Sequence, residues 1–179
     1  MQRSPETGDR ENDIMPGLRP TAMKALVVYD SVFGNTEKVA QAMSGALGAE
    51  SAAIRVTEAK HEQLKGLGLL VVGSPTRAFR PTKPISDFLN GIPRDALKGI
   101  RVAAFDTRMS VADVKSPVLS VMAGIFGYAA KPIADKLVGK GGELAAPPEG
   151  FIVEGSEGPL RDGELERAAA WAKTIIGAK

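Results

Sequence analysis

From Met23 onward the chain alternates short apolar runs with amphipathic helical stretches, and this alternation restricts the possible folds more than any other feature. Residues 24–30, KALVVYD, are short, apolar and rich in β-branched side chains, the pattern of a buried strand. In Asn35 to Leu47 the residues Val39, Ala40, Met43, Ala46 and Leu47 recur on one helical face, and Gly48 is a natural stop. Residues 52–56 predict a second strand, and 68–73, apolar throughout, a third that sits centrally. Pro84 suits the first turn of a helix through Ile85–Asn90, and 100–106 predicts strand four. Ala130, Ile133, Ala134, Leu137 and Val138 stripe the next helix, which ends at Gly139. The fifth strand is divided by Pro147-Pro148 into 142–146 and 151–154. Leu165, Ala168, Ala169, Ala172, Ile175 and Ile176 mark a closing helix.

Such alternation implies a parallel sheet covered by helices on both faces. In sheets of this kind a ligand binds beyond the carboxyl ends of the strands, where the strand order reverses. The residues that follow each strand are therefore the informative ones: 31–36, 74–82, 107–112 and 126–129. One domain, 23–179, is expected. Residues 1–22 are polar, rich in Pro and Gly and without periodicity, and are expected to form a disordered extension.

Composition narrows the chemistry. With no cysteine, disulfides, iron–sulfur ligation and thiolate catalysis are excluded. A single histidine, His61, argues against a His-cluster metal site and against a Ser-His-Asp triad, and a proton-transfer role for it is disfavoured. Redox chemistry would have to come from a borrowed cofactor. The formal charge of +2 carries no basic run of the kind that tracks nucleic acid. The longest apolar stretch, from Pro117 to Ala130, is broken by Gly124 and Gly127, whereas a membrane span needs roughly 20 residues. No leader-type apolar region stands at the N-terminus, so the cytoplasm is expected.

The first strand runs directly into Ser31-Val32-Phe33-Gly34-Asn35-Thr36, where a helix begins. A helix N-terminus offers unpaired backbone N–H groups and the positive end of a dipole. Ser31, Asn35 and Thr36 add side-chain donors, Gly34 permits close backbone approach, and no Lys or Arg is present. The loop is neither a Walker A motif nor a G-x-G-x-x-G turn; one terminal phosphate fits it better than a pyrophosphate.

Tyr29-Asp30-Ser31-Val32-Phe33-Gly34-Asn35-Thr36 resembles the FMN phosphate loop of flavodoxins. Gly73-Ser-Pro-Thr-Arg77, within a Pro-rich stretch to Pro84, and Phe105-Asp-Thr-Arg-Met109 resemble the two ring loops of a bacterial and archaeal flavodoxin subgroup, and Gly150–Leu160 with Trp171 resembles that subgroup's C-terminal signature. The resemblance implies a three-layer α/β fold with a five-stranded parallel sheet of order 2-1-3-4-5, one FMN, and electron transfer to transient protein partners. Its FMN contacts would come from Ser31, Val32, Phe33, Gly34, Asn35 and Thr36, from Pro75, Thr76, Arg77, Ala78 and Phe79, and from Asp106, Thr107, Arg108 and Met109. No residue is assigned a catalytic or metal-binding role. The competing expectation is a flavodoxin-like NAD(P)H:quinone oxidoreductase, whose additional His and Gly-Gly features are missing from these loops.

Within this frame Phe79 has two open roles, stacking on the flavin or plugging its loop into the core. Trp171, Phe126 and Tyr128 are expected to pack in the core, and Asp30 and Asp106 to anchor loops by accepting backbone hydrogen bonds. The chain departs from typical flavodoxins in its mildly basic charge and in the long connection 110–126, whose apolar part, 117–126, is a candidate for a flap, a partner surface or self-association. Arg77, Arg80 and Arg108 lie on the ring loops, and positive charge there would stabilise reduced anionic flavin and make it less reducing.

Overall fold

The structure, a computed structural model, describes residues 23–110 and 128–177. The expectations for residues 1–22, for the apolar segment 117–126 and for Phe126 lie outside the described residues.

Strand β1 (Ala25–Tyr29) leads into helix α1 (Asn35–Leu47), followed by β2 (Ser51–Arg55), β3 (Leu69–Pro75), α2 (Lys83–Gly91) and β4 (Arg101–Met109). Helix α3 (Ala130–Gly139), the short strands β5 (Glu143–Leu144) and β6 (Glu149–Val153), and helix α4 (Glu164–Gly177) complete the described elements. The sheet runs β2-β1-β3-β4-β5, with β6 also paired to β4. Every pairing is parallel. The expected order 2-1-3-4-5 is observed, and the fifth position is filled by two pieces, as Pro147-Pro148 predicted. Among the described residues, no helix is long and apolar enough to cross a membrane.

The period of two in the strands explains the layers. Leu26, Val28, Leu70, Val72, Val102 and Ala104 face one way and pack against Ile85, Phe88 and Leu89 of α2 and Ile133 and Leu137 of α3. Ala25, Val27, Tyr29, Leu69, Val71, Ala103 and Phe105 face the other way, against Val39, Ala40 and Met43 of α1 and Ala168, Ala172 and Ile175 of α4. Both faces being covered, β1 and β3 are apolar without alternation. Each fully buried Leu, Val or Ile contributes roughly 1.5–3 kcal/mol against exposure.

Two sequence expectations need correction here. Residues 107–109 were expected to follow strand four, 100–106; they continue β4, whose second half pairs with β6 from Phe105↔Glu149 to Met109↔Val153. The divided fifth strand is the reason: β5 covers only Arg101 and Val102, and β6 then offers a fresh edge farther along. Likewise Ser74 and Pro75 lie in β3, paired with Asp106 and Thr107. A single turn of 3₁₀ helix at His61–Leu64 was not anticipated. His61 there stacks on Phe88 with centroids 5.2 Å apart, and its Nε2 lies 3.1 Å from the Phe88 carbonyl oxygen, a structural role far in sequence from the strand ends.

Because all strands are parallel, their carboxyl ends share one edge of the sheet. After β1 the chain goes outward to β2 and then crosses to β3 on the other side. That reversal leaves a crevice between the ends of β1 and β3.

Candidate functional site

At this crevice lies a cavity of about 500 Å³. It is bounded by Val32, Phe33, Asn35 and Thr36 from the β1–α1 turn, by Pro75 to Phe79 after β3, by Thr107 to Met109 at the end of β4, and by Tyr128, Val153 and Ser156. Cavities of a few hundred Å³ with mostly apolar walls and a few convergent polar groups are the usual form of a small-molecule site.

The β1–α1 turn is built around Gly34, whose φ of +83° is left-handed backbone that a side chain strains. The turn leaves the backbone N–H groups of Val32, Phe33, Gly34, Asn35 and Thr36 without a hydrogen-bond acceptor among the described residues. These five consecutive donors surround the N-terminus of α1, where the helix dipole is positive. Ser31 differs: its N–H donates to Asp30 Oδ1 at 2.9 Å, and its carbonyl accepts from Arg55 Nη1 at 3.0 Å. The side chains of the turn fix its shape. Asn35 Nδ2 donates to the carbonyl of Glu157 at 2.8 Å, and Thr36 and Thr107 share a hydrogen bond between their hydroxyls, also 2.8 Å. Both threonines are buried, so this bond locks the turn to the end of β4.

After β3, the N–H of Thr76 donates to the carbonyl of Thr107 at 2.9 Å, and the Thr76 hydroxyl accepts from the N–H of Ala129 at 3.0 Å. Arg77 and Arg80 then exchange backbone hydrogen bonds of 2.9 and 3.0 Å. Between them Ala78 and Phe79 have φ of +47° and +64°, a mirror-image turn that non-glycine residues rarely form. Phe79 is half-buried and lines the cavity, and it belongs to neither core cluster.

At the end of β4, Asp106 is fully buried. Its Oδ2 accepts from the N–H of Ala130 at 2.8 Å, which caps α3, and its Oδ1 accepts from Arg108 Nε at 2.5 Å. Burial pushes the Asp106 carboxyl up, while Arg108, the Ala130 N–H and the Thr76 hydroxyl pull the other way. The Arg108 guanidinium lies over the Tyr128 ring, 3.8 Å from its centroid, and against the backbone of Gly150.

Of the expected contact residues, the cavity brings together Val32, Phe33, Asn35, Thr36, Pro75, Thr76, Arg77, Ala78, Phe79, Thr107, Arg108 and Met109. Ser31, Gly34 and Asp106 do not line it. Ser31 spends its N–H on Asp30, Gly34 shapes the turn through its φ, and Asp106 sits behind Arg108. Asp30 and Asp106 accept backbone hydrogen bonds as expected. Trp171 packs edge-to-face against Phe151, 6.3 Å between centroids. Tyr128, expected in the core, is instead a wall of the cavity. Val153 and Ser156 were missed. Val153 ends β6 and Ser156 follows it, so the rule that pointed to the other loops would have led to them had it been applied to the fifth strand position.

The donor set suits a nucleotide with one terminal phosphate: five consecutive N–H groups with no Lys or Arg in the turn itself, beside an apolar cavity with Arg108 on its wall and no carboxylate among the lining residues.

A family model described as a flavodoxin domain matches residues 26–144. No relative among curated proteins matches the sequence. Among solved structures, oxidised Flavodoxin 1 from Bacillus cereus is 17% identical with a TM-score of 0.67, covering 87% of this chain and 98% of that one. A flavodoxin from the domain Archaea is 22% identical with a TM-score of 0.66, covering 87% and 97%. Rubredoxin oxygen:oxidoreductase from the anaerobe Desulfovibrio gigas is 21% identical with a TM-score of 0.66; the match covers 89% of this chain and 36% of that larger one.

Proposed function

This chain belongs to the flavodoxin family, and on that premise we propose that its crevice holds FMN through the residues described above and that the protein shuttles electrons between protein partners in the cytoplasm. Flavodoxins bind FMN and transfer electrons to redox partners. Bound FMN supplies redox chemistry that no side chain of a cysteine-free chain provides.

The chain's own residues have three tasks in this proposal. The N–H groups of Val32 to Thr36 take the phosphate, satisfying donors that otherwise face a cavity. Pro75 to Phe79 on one side, and Thr107 to Met109 with Tyr128 on the other, enclose the ring and keep water from it. The Thr36–Thr107 and Thr76–Thr107 hydrogen bonds hold these walls in register, so that little ordering is left to occur on binding.

One observation carries the proposal: the turn that holds the five unpartnered N–H groups lines, through Val32, Phe33, Asn35 and Thr36, the same cavity as the two ring-side walls. The test is the visible absorption spectrum of the purified protein, before and after addition of FMN and then dithionite. A protein-bound flavin spectrum that dithionite bleaches is expected; protein that remains colourless and leaves added FMN with its free spectrum contradicts the proposal. Steady NAD(P)H oxidation with a quinone and no partner protein would instead identify a reductase.

A further inference from the structure

The Arg77–Arg80 turn sits at the mouth of the cavity, and its charges pair with no carboxylate among the described residues. Both side chains are exposed. The two residues form an antiparallel bridge, which places their side chains on the same side of the turn. Like charges directly opposite one another repel. Ala78 and Phe79, the residues that hold the arginines in this position, have left-handed backbone. The fold thus keeps two exposed arginines on an unfavourable turn with no ion-pair partner among the described residues, so an external anion would compensate their charge.

The surroundings of the pair fit a protein surface more closely than a lone ion. The Arg77 guanidinium lies 6.0 Å from the centroid of the Phe33 ring. Val32, Phe33 and Met109, at 52%, 47% and 40% exposure, are three of the seven large apolar side chains exposed among the described residues, and all three line this one cavity. An apolar patch with aromatic, methionine and arginine side chains has the composition of an interface centre. The other cation on the cavity wall, Arg108, is bound to Asp106, so Arg77 and Arg80 carry the uncompensated charge. Of the carboxylates flanking the β1–α1 turn, Asp30 and Glu37 pair with Arg55, and Glu154 lies 4.0 Å from Arg161. Arg77 and Arg80 therefore leave the Phe33 side of the mouth cationic.

We propose that the Arg77–Arg80 turn, with Phe33, Val32 and Met109, is a docking surface for an electron-transfer protein whose own redox centre is ringed by carboxylates. This rests on the proposal that FMN occupies the cavity. It adds the charge and the location of the partner's contact. Contacts of this kind are small and transient, and opposite charge accelerates encounter without demanding high affinity.

Cytochrome c, which is basic, and the same protein with its lysines succinylated, which is acidic, are suitable probes because they share one haem. Dithionite-reduced holoprotein, freed of excess dithionite, is mixed with each ferric form. Two haems each take one electron, one FMN returns to the oxidised state, and the flavin proton passes to solvent. At about 10 mM salt the acidic form is expected to react about tenfold faster than the basic form, and the difference to vanish near 0.5 M salt, where charges are screened within a few ångströms. Arg80→Glu, at a residue that does not line the cavity, is expected to reverse the preference, and Arg80→Lys to retain it. A faster basic form, rates independent of salt, or an unchanged preference in Arg80→Glu would overturn the proposal. FMN uptake is measured first from the absorption spectrum, so its failure is distinguished from failure of docking. In that event the surface is still tested on flavin-free protein: amide NMR shifts at 77–80 and 32–33 on adding the acidic form are expected, and their absence overturns it.

Discussion

The Arg108 guanidinium is held against the face of Tyr128, 3.8 Å from the ring centroid, by a hydrogen bond of 2.5 Å to a carboxylate that solvent does not reach. Gly150 completes the clamp, since a Cβ there would collide with the guanidinium. A cation fixed in this way cannot swing out to solvent. It presents positive charge to the cavity while its counter-charge, Asp106, lies behind it.

This arrangement predicts a redox effect. The Arg108→Gln substitution removes a fixed positive charge from the cavity wall and should disfavour the anionic reduced flavin, lowering the midpoint potential. An electrostatic term of about 1 kcal/mol corresponds to roughly 40 mV for one electron. Potentiometric titration of the wild type, Arg108→Gln and Arg108→Lys measures it. The lysine variant should keep most of the wild-type potential, and an unchanged or higher potential in the glutamine variant would contradict the account.

Gly150→Ala should be costly for a steric reason. Its methyl group displaces the Arg108 side chain and leaves the buried Asp106 carboxylate without its cation. Separating one member of a buried pair costs about 3 kcal/mol. Urea unfolding should show this loss. The double variant Gly150→Ala/Asp106→Asn should be less destabilised than the sum of the two single variants, because the asparagine needs no cation.

Thr107→Val tests the lock between the β1–α1 turn and β4. It strands the buried Thr36 hydroxyl, whose partner is the Thr107 hydroxyl at 2.8 Å. The expected destabilisation is about 1–3 kcal/mol. FMN affinity should fall as well, since the turn is then less firmly held; calorimetric titration reads that loss separately.

The outline of the fold was legible because it depends on patterns that do not require knowledge of partners. Val39, Ala40 and Met43 recur at helical spacing, and all three are fully buried on α1. The runs 25–29 and 69–72 are apolar on both sides, as strands covered on both faces must be. The β1–α1 turn was legible for the same reason: Gly34 punctuates the strand before the helix starts. What was not legible depends on contacts distant in sequence. Thr107, Arg108 and Met109 suggested a loop because they are polar or lie next to polar residues; only the pairing with β6, about 45 residues on, makes them a strand. Tyr128 suggested a core residue because its one decisive partner, the Arg108 guanidinium, cannot be inferred from spacing. Ser31 suggested an anion contact through its hydroxyl, and nothing in the sequence shows that this oxygen accepts from the Glu37 N–H or that its own N–H is taken by Asp30.

A pH effect follows from the carboxylate that ties β6 to α4. Glu164 accepts from the N–H of Ile152 at 2.6 Å and from Arg167 at 2.7 and 3.0 Å. Burial alone would raise its pKa, but the Arg167 and Ile152 hydrogen bonds together outweigh burial and hold it below the usual glutamate value. A carboxyl with a depressed folded-state pKa adds stability that is present above its unfolded value and is lost as pH falls through the folded one. Glu164→Gln should therefore melt below the wild type at pH 7, and the gap should close as pH falls below 4. A gap that stays constant or widens in acid would show that the charge is not the source.

A mononucleotide held by its phosphate on the neutral N–H donors of the β1–α1 turn must lose affinity when that phosphate is removed. The most direct measurement is a pair of calorimetric titrations of flavin-free protein, one with FMN and one with riboflavin, which differ only in that phosphate. The account predicts that FMN binds at least about a hundredfold more tightly, since charge-assisted hydrogen bonds contribute about 1.5–3 kcal/mol each and two of them suffice. Equal affinity for the two, or binding of neither, would contradict it.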